Sequence, residues 1–263
     1  NDTRRDKLNT KRYQDKVVVI TGGNSGIGRA TALAFAREGA EVIIAARREK
    51  EGNEVVQEIK SMGGSALFVK TDLREPDQIE ALFARIREKY GRLDCAFNNA
   101  GVWPAMKWTA NYRLEEFDEV MNINVKAVWR CMKHEIPLMI ETGGGSIVNT
   151  SSISGWGGWE GTSLYTSSKH AVIGLTRAAA VEFGRKNVRI NAICPGITET
   201  PMLERQLAEG GEAMKKALLD ITPLGRFGKP EEIAGAVLFL CSQAASYITA
   251  KSIVVAGGQG IRT

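Results

Sequence analysis

The sequence has few of the residues that build metal centres or disulfide frameworks. Its 263 residues include two histidines and four cysteines, and no C-x-x-C pair occurs. Because zinc sites and disulfide frameworks need closely and regularly spaced ligands, we expect neither, and no other metal site. The cysteines are expected to be reduced core thiols of a cytoplasmic protein; they are Cys95, Cys131, Cys194 and Cys241.

Long apolar runs are also missing. Stretches such as 236–241 fall far short of the roughly 20 residues that a membrane-spanning helix needs, so we expect no membrane partner. Positions 1–15 are polar and mixed in charge, without the apolar stretch of a secretory signal peptide. We therefore expect a flexible amino-terminal tail over 1–15, and no secretion.

Neither sign of charge dominates the chain. Basic residues outnumber acidic ones by 35 − 30, a formal net charge of +5, and the two kinds are interleaved. Nucleic-acid-binding surfaces usually cluster their basic residues. Some basic residues fall in the tail, but aspartates interrupt them, so we do not expect a nucleic-acid partner.

Short β-branched runs alternate with helical segments along the chain. Strands are expected over 16–21, 41–46, 66–70, 93–97, 146–151, 188–193 and 252–256. Helices are expected directly after the first strand and over 49–62, 77–90, 113–140 and 164–185. Since parallel strands need helical crossovers, residues 16–263 are predicted to form one α/β domain, a doubly wound parallel sheet with helices on both faces. Residues 197–225 break the alternation and are interpreted as an inserted, mobile segment over one end of the sheet.

A glycine-rich loop separates the first strand from the first helix. It reads Thr21-Gly-Gly-Asn-Ser-Gly-Ile-Gly28. Glycines let the backbone approach a pyrophosphate closely, and the free N–H groups at the start of a helix attract its charge. A tight turn alone could also need glycine, but the position between strand and helix favours a dinucleotide-binding loop.

Further motifs follow in a fixed order. Asn98-Asn-Ala-Gly101 comes after the fourth strand, Tyr165-Thr-Ser-Ser-Lys169 fits Y-x-x-x-K, Ser152 stands thirteen residues before that tyrosine, and Pro195-Gly196 follows. Together with the T-G-x-x-x-G-x-G loop, they resemble the short-chain dehydrogenase/reductase family from residue 21 to about residue 200. The resemblance implies a Rossmann fold and an oxidoreductase that uses a nicotinamide dinucleotide to interconvert a carbonyl compound and a secondary alcohol.

The resemblance also implies which residues bind the cofactor. They are Thr21, Gly22, Asn24, Ser25, Gly26, Ile27, Gly28, Arg47, Arg48, Asp72, Leu73, Asn99, Ala100, Gly101, Tyr165, Lys169, Pro195, Gly196, Thr198 and Thr200. Asp72 would touch the adenine edge, or it is an acid near the start of the next helix; the two interpretations stay open.

The choice of dinucleotide depends on the end of the second strand. An acidic side chain there binds the ribose 2′-OH of NAD. This chain has Ala46 at that position, followed by Arg47 and Arg48, whose guanidinium groups suit a 2′-phosphate. The pattern favours NADP(H) over NAD(H), unless both arginines are ordinary surface charges.

Tyr165 and Lys169 are four residues apart on a predicted helix, so their side chains share one face. Lowering the pKa of a phenol by about three units needs roughly 4 kcal/mol. A cation about 4 Å away, at an effective dielectric constant of about 20, supplies that much. We expect Lys169, together with the positive charge of the oxidised nicotinamide ring, to lower the pKa of Tyr165. Lys169 would also hold the ribose, Tyr165 would exchange a proton with the substrate, and Ser152 would hydrogen bond to the substrate oxygen. The resemblance implies that Asn124, in preference to Asn122, belongs to a proton relay through Lys169.

Three tryptophans lie near these motifs in sequence. They could line an apolar substrate pocket, although burial in the core or in subunit contacts would explain them equally well. Residues 197–225 are expected to close over the substrate, with residues 201–207 nearest to it. The predicted pocket residues are Trp103, Ser154, Trp156, Trp159 and Met202.

Other functions compete with this one. A redox-sensing regulator would bind NADP(H) without turnover, but it could dispense with the tyrosine and lysine that this chain carries. A sugar-nucleotide epimerase would need a larger carboxyl-terminal part. The resemblance implies a homotetramer with helices 113–140 and 164–185 at one interface and the last strand at another. In that region Ala250 and Ala256 replace the Gly and Asp usual in the family.

Overall fold

A parallel sheet of seven strands runs through the centre of the computed structural model, which describes residues 11–260. The strands are β1 (Val17–Thr21), β2 (Glu41–Ala46), β3 (Ser65–Lys70), β4 (Cys95–Asn98), β5 (Gly145–Thr150), β6 (Val188–Pro195) and β7 (Ser252–Val255). Their order is β3-β2-β1-β4-β5-β6-β7, and each neighbouring pair is parallel. The predicted doubly wound sheet is confirmed.

Helices cover both faces of the sheet. They are α1 (Gly26–Arg37), α2 (Glu49–Ser61), α3 (Pro76–Tyr90), α4 (Leu114–Met121), α5 (Ala127–Glu141), α6 (Ser163–Phe183), α7 (Pro201–Asp220) and α8 (Pro230–Cys241). Val18 and Ile20 of β1 pack in the core with α1, α2 and α8, whereas Val17 and Val19 pack with α3, α5 and α6. Because both faces are covered, the strands read as continuous apolar runs. The four cysteines are free and buried, as predicted.

The order of strands reverses between β1 and β4. Thr21 at the end of β1 pairs with Asn98 at the end of β4. In doubly wound sheets, a crevice opens beyond the carboxyl ends of the strands at this point. The glycine loop and the Asn98–Gly101 segment therefore lie side by side.

The helix predicted over 113–140 is interrupted. Between α4 and α5, residues Asn122–Lys126 form one π-helical turn, which buries Ile123 and Asn124. Such turns insert one residue into a helix and occur frequently at functional sites. Sequence periodicity missed this insertion because the flanking residues are helical on both sides.

Residues 197–225 consist mainly of α7. The helix begins after Thr200, whose hydroxyl accepts a hydrogen bond from the Leu203 N–H at 3.3 Å. It is kinked at Gly211, where φ is +65°. A kinked helix thus replaces the irregular insertion that the sequence suggested, because the adjacent Gly210 and Gly211 hid the helical pattern.

The tail boundary predicted at residue 15 is too late. Tyr13 is 3% exposed, its ring packs edge-on against Phe35 at 4.7 Å between centroids, and its hydroxyl donates to the Leu238 carbonyl. Arg12 forms an ion pair with Glu38 at 2.6 Å. Residues 11–15 belong to the domain because Tyr13 buries an aromatic ring in its core; residues 1–10 lie outside the described chain. Within the described part, no helix is long and apolar enough to cross a membrane.

Candidate active site

A cavity of about 800 Å³ opens at the carboxyl ends of the strands, with α7 along one side. All the predicted cofactor residues except Thr21 and Gly28 line it. Ser152, Tyr165 and Lys169 line it as well, together with Trp103, Ser154, Trp159 and Met202. The structure thus brings the glycine loop and the Y-x-x-x-K pair to one cavity.

Thr21 and Gly28 shape the glycine loop from behind. The Thr21 hydroxyl accepts hydrogen bonds from the N–H groups of Asn99 at 3.0 Å and Ala100 at 3.2 Å, which ties the ends of β1 and β4 together. A Cβ at Gly28 would overlap the carbonyl oxygen of Gly22. Both residues therefore keep the loop close-packed without facing the cavity.

The amino end of α1 has the form of an anion site. Among residues 11–260, no side chain caps this helix, and no acidic residue lies in its first turn. Its N–H groups are left for a ligand, and Gly26 beside them has φ of +51°. This backbone cradle fits a pyrophosphate, so the residues present suit a dinucleotide.

The two predicted arginines lie at the edge of the same cavity. Ala46 ends β2, and Arg47 and Arg48 follow it with exposed side chains that line the cavity. Arg48 forms an ion pair with Glu51 at 3.1 Å. No acidic side chain stands at the end of β2 to repel a 2′-phosphate.

Asp72 is held by a residue that sequence reasoning missed. Its carboxylate accepts hydrogen bonds from the Arg74 Nε at 3.0 Å and from the Arg74 backbone N–H at 3.0 Å. This bonding, with a smaller contribution from Arg47, keeps the pKa of Asp72 below its ordinary value. The residue before α3 is Glu75, so Asp72 is not the capping residue of that helix. Arg74 also lines the cavity and adds a third arginine to its edge.

Tyr165 and Lys169 lie buried on one face of α6. The Lys169 Nζ donates to the Thr150 carbonyl at 2.9 Å and lies 5.4 Å from the centroid of the Tyr165 ring. Ser152 follows β5, and its Oγ accepts from the Ser154 N–H at 3.1 Å. The end of β5 therefore anchors the lysine and presents the serine to the same cavity.

Burial controls the acidity of both groups. It raises the pKa of Tyr165 to about 12, although the nearby Ser152 hydroxyl opposes the rise. It lowers the pKa of Lys169 to about 8. The expected lowering of the tyrosine pKa by Lys169 is not what the structure gives, because desolvation of the phenolate has the larger effect.

The buried Asn124, the asparagine predicted for the relay in preference to Asn122, lies next to Gly101, as does the Lys169 Nζ. Its Oδ1 accepts from the Val102 N–H at 2.8 Å, and its Nδ2 donates to the Val102 carbonyl at 3.0 Å and the Ser168 hydroxyl at 3.1 Å. The π-helical turn directs this side chain inward. Both Nδ2 hydrogens are thereby used to join the segment after Gly101 to α6.

Of the three predicted pocket tryptophans, two line the cavity and one does not. The Trp103 ring packs against Tyr165 with 4.3 Å between centroids, and Trp159 also lines the cavity. Trp156 is 56% exposed and stacks under the Arg177 guanidinium at 5.5 Å, so the structure does not place it in the pocket. It directly follows the short turn over Ile153–Gly155.

Among the lining residues that sequence reasoning missed, one apolar group belongs to α7 and to the residue that follows it. Met214, Leu218 and Ile221 face the cavity together with Leu203. Met214, Leu218 and Ile221 are spaced by four and three residues, as on one face of a helix. This spacing is the sequence pattern that could have predicted them. They add apolar side chains to the wall of the cavity.

Comparison with known proteins identifies the family. The family model described as enoyl-(acyl carrier protein) reductase matches residues 22–259. The chain is 38% identical to cyclohexanol dehydrogenase of Acinetobacter sp. over 96% of its length and 98% of the relative's. It is 41% identical to 2,5-dichloro-2,5-cyclohexadiene-1,4-diol dehydrogenase of Sphingobium indicum, covering 92% and 96%. A short-chain type dehydrogenase/reductase structure from Mycobacterium marinum superposes with a TM-score of 0.90 at 35% identity, covering 97% and 99%. The chain therefore belongs to the short-chain dehydrogenase/reductase family.

Proposed function

We propose that the protein is an NADP(H)-dependent oxidoreductase that interconverts a ketone and a secondary alcohol, with Tyr165 as general acid and base. One observation carries this proposal. Ser152, Tyr165 and Lys169 meet at one cavity, whose lining also includes the glycine loop, Arg47 and Arg48. Each group alone has an ordinary structural explanation, but their convergence suits hydride and proton transfer at one carbon–oxygen bond.

The cofactor would be held by the backbone cradle of the glycine loop and the amino end of α1. A bound nicotinamide dinucleotide supplies or accepts the hydride. Arg47 and Arg48 are the groups that would bind a 2′-phosphate, because Ala46 leaves the end of β2 without a carboxylate. Lys169 would hold the nicotinamide ribose.

Proton transfer is assigned to Tyr165. With a pKa of about 12, its phenol keeps its proton at neutral pH and can donate it to a ketone oxygen during reduction. Lys169, with a pKa of about 8, is mostly protonated at pH 7 and stabilises the phenolate as it forms. Ser152 donates a hydrogen bond to the same oxygen. Asn124, beside Lys169, would belong to the relay that returns the proton.

The substrate is proposed to be an alicyclic ketone or alcohol. Trp103, Trp159, Met202 and Leu218 give the cavity broad apolar walls. Two relatives are named as dehydrogenases of cyclohexanol and of a substituted cyclohexadienediol. A six-membered ring with one polar oxygen matches such walls.

The direct experiment is a panel of cyclic and linear ketones with NADPH or NADH, and of the matching alcohols with the oxidised cofactors, followed by nicotinamide absorbance. We expect turnover of cyclic ketones, with higher kcat/KM for NADPH than for NADH. Binding of NADPH without consumption in any reaction would contradict the enzyme assignment and favour a redox-sensing regulator.

The protein is further proposed to be a cytoplasmic homotetramer. Leu114, Phe117 and Trp129 of α4 and α5 are exposed, as is Val181 of α6. Large apolar side chains exposed on neighbouring helices suit an interaction surface. This face would form one interface and β7 the other, and the free cysteines suit a reducing compartment.

A further inference from the structure

A buried polar network lies in the core behind the active site. It consists of four residues that are each at most 2% exposed: Glu135 of α5, Asn98 of β4, Asn149 of β5 and Thr176 of α6. They are surrounded mainly by apolar side chains. In such surroundings, each polar atom needs a hydrogen-bond partner.

The hydrogen bonds of the network start at the Asn98 amide and lead to Glu135 on one side and to Asn149 and Thr176 on the other. The Asn98 Nδ2 donates to the Glu135 Oε2 at 3.1 Å and to the Asn149 Oδ1 at 3.0 Å. The Asn149 Nδ2 in turn donates to the Thr176 Oγ1 at 3.0 Å. Both Asn98 Nδ2 hydrogens are used. Within the described chain, the Asn98 Oδ1 and the Glu135 Oε1 are buried without a partner.

These two unpartnered atoms complement each other if the carboxyl carries a proton. An ionised carboxylate only accepts hydrogen bonds, so it leaves the Asn98 oxygen unsatisfied. A proton on Glu135 Oε1 can be donated to that oxygen, beside the existing bond from Nδ2 to Oε2. The amide and the acid are then joined by two hydrogen bonds.

We propose that Glu135 is a neutral carboxylic acid in the folded protein, pairs through two hydrogen bonds with Asn98, and acts as a positioning residue for the active site. The cost of burying an unpaired charge favours the neutral form. Burial raises the pKa of Glu135 to about 8, and the Asn98 hydrogen bond opposes this only in part.

The positioning role follows from the location of the network residues, which are close in sequence to residues that hold the active site together. Asn98 precedes Asn99, whose N–H is bound by Thr21 at 3.0 Å. Asn149 precedes Thr150, whose carbonyl accepts from Lys169. Thr176 lies two helical turns beyond Lys169 on α6. The positioning role rests on the proposed function, whereas the protonation state does not.

The groups that face Glu135 are otherwise neutral. Cys131, one turn earlier on α5, is a thiol whose pKa burial raises well above its usual value, so it stays protonated. β4, β5 and α6 contribute the side chains of Asn98, Asn149 and Thr176. On the side of α5 that meets α3, His134 stacks on Phe83 at 5.5 Å, and burial lowers its pKa.

The protonation state has a direct spectroscopic test. Protein labelled with ¹³C at the glutamate carboxyl is titrated by NMR, and the Glu135 signal is assigned by its absence from Glu135→Gln. We expect this signal to remain that of a carboxylic acid at pH 7 and to titrate near pH 8. Titration together with the exposed glutamates, near their ordinary pKa, would overturn the proposal.

Stability against pH gives an independent test. Between the ordinary glutamate pKa and about 8, the folded protein holds a proton that the unfolded chain has lost, so wild-type stability should fall as pH rises. Glu135→Gln, which keeps both hydrogen bonds, should lack this component of the fall, whereas Glu54→Gln on the surface of α2 should retain it. An equal fall in both variants would contradict a proton on Glu135.

Kinetics test the positioning role. Glu135→Gln is expected to keep kcat within about twofold of wild type, because the paired geometry survives. Glu135→Leu leaves the Asn98 oxygen and one of its Nδ2 hydrogens unpaired and should lower kcat by about tenfold or more with a smaller change in KM. Wild-type kcat in Glu135→Leu, or equal losses in both variants, would refute positioning. The NMR and stability tests need no substrate, so failure of the proposed reaction would leave them valid.

Discussion

At the scale of single residues, the cofactor assignment depends on Arg47. Loss of a charge-assisted hydrogen bond to a 2′-phosphate is worth about 1.5–3 kcal/mol, so Arg47→Ala should raise KM for NADPH by about tenfold or more. KM for NADH should change by less than about twofold, because that cofactor lacks the phosphate. Initial rates with each cofactor measure both values.

The matched control for this substitution is Arg37→Ala, which removes an exposed arginine from the last turn of α1. It should leave both KM values unchanged. If Arg47→Ala affected NADPH and NADH equally, the arginines would be ordinary surface charges, and the preference for NADP(H) would be wrong.

Ala250 is the clearest case of backbone strain at a single residue. Its φ is +60°, in the left-handed region that costs an L-residue roughly 1–2 kcal/mol. Glycine removes this cost but adds about 0.5–1 kcal/mol of unfolded-state entropy. Ala250→Gly should therefore raise the free energy of unfolding by up to about 1 kcal/mol in urea titrations.

A glycine placed within a helix should have the opposite effect. Ala213 is exposed on α7, and Ala213→Gly is expected to lower stability by about 1 kcal/mol. A loss of similar size in Ala250→Gly would show that the left-handed conformation at that position carries no strain.

At the scale of secondary-structure elements, the strands could be predicted to within about two residues. Apolar runs such as β2 are buried on both faces and end at turns, so their composition alone marks them. α8 was missed, although Pro230 begins it and the Glu232 carboxylate accepts from the Lys229 N–H at 2.7 Å. Its buried face contacts α1 and the sheet, but the exposed Phe239 extends the apolar residues into an unbroken run, which hides the helical periodicity.

Other elements depend on contacts that are distant in sequence. The π-helical turn exists where Asn124 reaches Val102 and Ser168, and local propensity does not encode those partners. The position of α7 depends on the packing of its apolar face along the cavity, which forms only in the folded protein. The motifs placed Tyr165 and Lys169 on one helix face, but the pKa values follow from burial, which needs the assembled fold.

At the scale of the whole molecule, the exposed face of α4, α5 and α6 predicts self-association. Leu114 is 70% exposed and Val181 80% exposed, with Trp129 about half exposed on α5. Trp129→Asp introduces a charge into this face, so it should lower the fraction of tetramer by weakening assembly at least about tenfold. Sedimentation velocity over a range of concentrations measures this.

Met62→Asp provides the control, since Met62 is an exposed apolar residue at the end of α2. Its assembly should match that of the wild type. A wild-type protein that sediments as a monomer at all concentrations would contradict the tetramer, while the assignment of the active site would stand.

The central claim concerns a single hydroxyl group within this molecule. Tyr165→Phe keeps the ring that packs against Trp103 and removes only the proton donor. We predict that kcat/KM for reduction of a cyclic ketone falls by at least about a hundredfold, while NADPH affinity and the unfolding midpoint match those of wild type and of the control Tyr90→Phe. Turnover of Tyr165→Phe close to that of wild type would contradict the account.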